Sequence, residues 1–210
     1  MSFQATVQPF SMIGTNPITN NSFVKSPDNQ KELIQLLKAK IKAIKGNEII
    51  GNERGICEYK VDINRDNFLS ELQEYAVSLD HDNIDEIYRG SQETRFNHLV
   101  QISNHIGIYL PVFFFFPIHI ATKGNPLPIF VGSSIKLAQE LEAINASLQA
   151  KKQMQLDISD SEFIAEEEDL EDYEADNEGV KNFWASFSFQ VLHTIVYKSI
   201  QTKLPLFINS

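Results

Sequence analysis

The chain has 210 residues, 42% hydrophobic and 15 of them Phe, enough for one full-sized domain with a buried core. Its single cysteine, Cys57, excludes an internal disulfide framework and a Cys-rich zinc site, and suits a reducing compartment. A formal net charge of -10 argues against direct nucleic-acid binding and against attraction to anionic membrane surfaces.

Residues 1–25 are rich in Asn, Thr, Ser and Gln without a period, and read as an arm or an irregular edge segment. No positive charge precedes Lys25, so the start does not resemble a secretory signal. A single domain then occupies 26–210. Ser26 and Pro27 open a helix as N-cap and first helical residue. Leu33, Leu36, Leu37, Ile41 and Ile44 share one face of it, and Lys31, Lys38, Lys42 and Lys45 the other. Gly46 stops it.

Cys57, Tyr59, Val61 and Ile63 alternate with polar residues, the period of a half-buried strand. Asp66 is placed to cap a helix on Phe68, Leu72, Tyr75, Ala76 and Leu79. Ser91 is placed to cap another on Phe96, Leu99, Val100 and Ser103, closed near Gly107. Ile108 to Phe116 reads as the strongest strand, apolar on both faces and therefore central, with Pro111 and Pro117 marking the limits of its ladder. A short strand follows at 128–131. Gly132-Ser133-Ser134 then leads into a helix with Leu137, Leu141, Ile144 and Leu148 in register. Phe183, Phe187, Val191 and Ile195 recur at helical spacing, with a strand as the rival reading, and Leu204–Ile208 closes as a strand. The order predicts an α/β or α+β domain, a mixed sheet of about four strands flanked by helices.

Charge is concentrated in one insertion. Twelve of the 28 carboxylates lie between Asp157 and Glu178; without them 18 basic residues face 16 acidic ones. The segment reads either as a solvated face that keeps the chain soluble, or as a surface that docks on something basic. The second reading covers a basic partner protein and an enzyme's nucleic-acid groove that the segment mimics. Glu166, Glu167, Glu168, Asp169, Glu171 and Asp172 are then the contact residues. Phe163, Ile164, Leu170 and Tyr173 give the segment a sparse apolar stripe, and Ser159 with Glu162 a capping box, so it reads as a conditional helix. The lysine-rich first helix is a candidate internal counter-charge.

Catalytic signatures are missing: the chain has no G-x-G-x-x-G, no phosphate loop, no G-x-S-x-G and no H-E-x-x-H. No cofactor or metal is expected, and the acidic segment has no EF-hand pattern. Cys57 reads as a buried inert thiol. Polar residues around the central strand form an alternative site: His105, Tyr109, His119, Ser133 and Ser134, with Arg95 and His98 nearby. Ser133 and Ser134 precede a helix, a place that favours N-caps and anions. Two functions follow. The first is a soluble, cytoplasmic, non-enzymatic interaction or regulatory protein, of immunity type for example, that binds a basic partner without touching nucleic acid or membrane. The second is a small-molecule-binding domain or an enzyme acting on a small anionic substrate. Oligomeric state is not legible.

Overall fold

A computed structural model describes residues 2–9, seven residues within 32–40, and 59–80, 94–102, 107–121 and 128–153; it also describes 156–209 except 159, 178 and 181. The elements run β1 (Phe3–Val7), β2 (Tyr59–Ile63), α1 (Ser70–Ser78), α2 (Asn97–Val100), β3 (Gly107–Leu110), β4 (Ile118–Ile120) and β5 (Ile129–Ser133). They continue with α3 (Ser134–Leu148), α4 (Ala150–Gln153), β6 (Glu162–Ala165), α5 (Glu167–Asp176), α6 (Phe183–Thr202) and β7 (Leu206–Asn209).

The strands form one mixed sheet in the order β4-β5-β3-β7-β1-β2-β6. β3 with β5 and β2 with β6 are parallel, and the other neighbours are antiparallel. The expected single α/β domain is present, with seven strands among the described residues rather than about four. The additional strands are short, and two come from stretches whose composition hides them. β1 lies in the part of the chain expected as an arm. Yet Phe3, Ala5 and Val7 alternate inward, and β1 sits between β2 and β7 in the middle of the sheet. Gln4 fixes that register by donating to both carboxylate oxygens of Asp62, its cross-strand partner, at 3.1 and 3.2 Å.

The Phe run is a second correction. β3 is buried throughout and central, as expected, but its ladder stops at Leu110. Pro111 has no N–H to donate, and Pro117 closes the excursion before β4 turns back along β5. In between, Phe114 is buried, while Phe115 and Phe116 are 67% and 71% exposed.

Helices cover one face of the sheet along its width. There Tyr59, Val61, Tyr109, Phe130, Leu206 and Ile208 join residues of α1, α3 and α6 in the main core. α6 carries Phe187, Val191, Leu192 and Ile195 into it, which settles the helix against the strand. On the opposite face Ile108, Leu110, Ile120, Val131 and Phe207 meet Leu33 and Leu37 of the amino-terminal helical stretch. One predicted cap fails, and one predicted helix is shorter than expected. α1 starts after Leu69 without a side-chain cap from Asp66. α2 is a single turn at Asn97–Val100, and Gly107 opens β3 instead of closing a helix. Ser91 and Cys57 lie outside the described residues.

Candidate functional site

The acidic insertion is split between a strand and a helix. In β6, Phe163 and Ala165 are buried while Glu162 and Ile164 are exposed, a period of two that pairs it with β2 at the edge of the sheet. Glu162, expected in a capping box with Ser159, is part of that strand. The helix starts later: Glu166 is the N-cap of α5, and its N–H donates to Asp169 Oδ2 at 3.0 Å. Asn64, just past β2, donates its side-chain N–H to Glu166 Oε2 at 3.1 Å and its backbone N–H to the Ala165 carbonyl at 2.9 Å. The parallel β2–β6 ladder thus sets the start of α5.

Packing explains why this helix is ordered despite its charge. Six carboxylate pairs at i,i+3 or i,i+4 spacing repel, about 1–3 kcal/mol in all. Against that, Leu170 is buried, and the half-buried Tyr173 ring lies 5.5 Å from that of Phe187 in α6. Leu170, fully buried, contributes about 1.5–3 kcal/mol and the half-buried Tyr173 adds to it, enough to offset the repulsion.

The rest of the helix is a surface of carboxylates. Eight lie between Glu166 and Asp176, all exposed. At 1.5 Å rise per residue they span about 15 Å, about one charge per 2 Å of axis. B-DNA carries one per about 1.7 Å. Among the described residues, Glu167, Glu168, Glu171, Asp172, Glu174 and Asp176 have no ion-pair partner; the nearby bridge, Lys60 to Glu162 at 2.7 Å, serves β6.

Lys31, Lys38, Lys42 and Lys45 of the amino-terminal stretch, the candidate internal counter-charge, lie outside the described residues. Lys40 of the same stretch hydrogen-bonds the His119 carbonyl of β4, the opposite edge strand. Six strand spacings separate β4 from β6, about 29 Å. That is several Debye lengths at physiological salt.

Among the described residues, one basic side chain does lie beside α5. Arg65 places its guanidinium carbon 3.3 Å from the ring centroid of Trp184 and pairs with Glu71 at 3.1 Å. It lines a groove of about 480 Å³ together with Asn64, Asp66, Glu167, Leu170, Glu171, Glu174 and Trp184.

The alternative site is gathered only in part. Tyr109 donates its hydroxyl to the His98 carbonyl, and the Ser133 N–H donates to His98 Nδ1 at 3.0 Å. His98 Nε2 then donates to the Phe115 carbonyl at 3.1 Å, which makes the buried ring neutral. Burial agrees, holding His98 down at about 4. Glu140 completes this network, accepting the N–H groups of His98 and Leu99 at 3.2 and 3.0 Å. Burial pushes Glu140 up to about 8, against those donors and Lys136. Glu140 is absent from the sequence reading, although it stands among Leu137, Leu141 and Ile144 on the apolar face of α3, which could have revealed it.

Ser133 caps α3, accepting the Lys136 N–H at 3.0 Å and donating to the Val112 carbonyl. Ser134 hydrogen-bonds Ser199 at 2.9 Å. These hydroxyls therefore hold structural bonds. His119 is exposed on β4, facing Gln101 at 3.3 Å. His105 lies outside the described residues. Arg95 pairs with Asp80 at 2.8 Å on the surface. Among the described residues no helix is long and apolar enough to cross a membrane, and no group of three His, Cys, Asp or Glu could hold a metal ion.

A family model described as "Putative DNA-mimic protein" matches residues 64–208. The chain belongs to that family. The matched stretch runs from α1 through β3 to Ile208 of β7 and holds the whole acidic insertion. No curated protein and no solved structure is significantly similar. The family corrects the partner expectation, a basic protein with nucleic acid set aside: mimicry of DNA makes nucleic-acid-binding proteins the class addressed.

Proposed function

We propose that this DNA-mimic family member is a non-enzymatic interaction protein that occupies the DNA site of a DNA-binding protein with the carboxylates of α5. Its contact residues are Glu166, Glu167, Glu168, Asp169, Glu171 and Asp172, extended by Glu174 and Asp176. The charge density of α5 carries the reading: about one carboxylate per 2 Å is close to the spacing that a DNA-binding surface is built to neutralise. Such a surface gains affinity mainly from phosphate contacts, and an ordered row of carboxylates satisfies the same Arg and Lys side chains. The anchor on Phe187 keeps the row preformed, which lowers the ordering cost of association. We take the cytoplasm as the compartment of action.

Capture from a lysate of the source cells tests this. The full chain should retain proteins identified as DNA-binding, and duplex DNA should elute them. Capture should weaken steeply from 50 to 200 mM salt. A variant with Glu166, Glu167 and Glu168 changed to Gln and Asp169 to Asn should lose them. Capture that duplex DNA does not compete, or that survives the fourfold change, would rule the reading out.

A further inference from the structure

The two sides of α5 differ. Glu168, Asp172 and Asp176 lie on its outer side, whereas Glu167, Glu171 and Glu174, at i, i+4 and i+7, line the groove against Asn64, Arg65, Asp66 and Trp184. Leu170 also lines the groove. We propose that this groove receives one arginine side chain from the DNA-contacting surface of the partner, an inference that rests on the DNA-mimic reading. The protein's own Arg65 shows which cation the groove suits: a planar guanidinium lies 3.3 Å from the indole centroid. Arg65 is already paired with Glu71, and Glu167, Glu171 and Glu174 have no ion-pair partner among the described residues. The groove therefore keeps an excess of negative charge beside an aromatic wall.

Arginine fits this better than lysine for two reasons. Its guanidinium forms two parallel N–H···O bonds to a carboxylate, as it does to a phosphate. It is also more weakly hydrated than an ammonium and stacks flat on aromatic and guanidinium planes. The outer carboxylates then attract any basic surface, while the groove chooses partners that present an arginine.

The chain contains one Trp, so the indole N–H of Trp184 is an unambiguous nuclear magnetic resonance reporter inside the groove. Arginine amide titrated into the labelled full chain should give a saturable shift of that signal, at least threefold larger than lysine amide gives. E171Q/E174Q should abolish the shift. D160N/E162Q removes the same charge from exposed carboxylates off the groove and should keep the shift within twofold. An equal response to the two amides, or an equal loss in the two double variants, overturns the inference. In that case DNA-competed capture by the wild-type chain leaves the DNA-mimic reading standing. Failure of DNA to compete capture removes that reading and takes this inference with it.

Discussion

Gly132 of β5 lies directly beside the ring of Tyr109, its partner on β3: a Cβ at this position would come within 2.5 Å of Tyr109 Cδ1 and 3.1 Å of Phe130 Cε1. Gly132→Ala therefore pushes the Tyr109 ring away and breaks its hydroxyl bond to His98. Overpacking and the lost buried bond together should cost about 2–4 kcal/mol in chemical denaturation. Gly179→Ala meets nothing within 4 Å and serves as the control, within about 0.5 kcal/mol of wild type.

The His98–Glu140 network should shape stability against pH. His98 falls from 6.5 unfolded to about 4 folded, so its contribution is complete above 6.5 and is lost as pH falls toward 4. Glu140 rises from 4.5 to about 8, so its contribution is complete below 4.5 and is lost as pH rises toward 8. Between 4.5 and 6.5 the two slopes cancel, and from 6.5 to 8 stability should fall by about 1.4 kcal/mol per pH unit. Denaturation midpoints from pH 4 to 9 read this directly. Glu140→Gln should remove the alkaline fall; a wild-type curve flat above pH 6.5 would contradict the assignment.

Leu170 is the buried anchor of the acidic helix. Leu170→Ala should destabilise the protein by about 2–3 kcal/mol. With the anchor reduced, repulsion prevails and α5 loosens, so hydrogen exchange of residues 167–176 should speed up more than that of α6. High salt should slow it again by screening the carboxylates. Uniform acceleration across both helices would show that α5 is not separately anchored.

Asp176 places a negative charge in the last turn of α5, where the helix dipole disfavours it, and one helical step from Asp172. Asp176→Lys should therefore stabilise the protein by about 0.5–1 kcal/mol, measured by thermal or urea unfolding. The same change should weaken capture of DNA-binding proteins and flatten its salt dependence. A gain in stability with unchanged capture would place Asp176 outside the contact surface.

Much of the site and the helical scaffold is legible without coordinates. Local periodicity identifies α3 and α6, because Leu137, Leu141, Ile144 and the Phe183 series mark faces that only a core can bury. Charge counting isolates the acidic insertion, and the apolar stripe of Leu170 and Tyr173 names its anchor. Local reading fails where a short strand hides in polar composition, as in β1, and where proline ends a ladder inside an apolar run, as at Pro111.

Sequence by itself determined that one segment carries the excess charge and that helix is one of its states. Tertiary structure decided that the segment opens as edge strand β6 and only then becomes helix, because pairing with β2 takes up the backbone of 162–165. Among the described residues, it also decided which basic side chain the helix meets. Lys40 is carried to the β4 edge, six strands away, while Arg65 lies on Trp184 beside α5. Strand order sets these distances, and no pattern local to the chain encodes it. Screening over about 29 Å then removes Lys40 as a counter-charge for the carboxylates of α5.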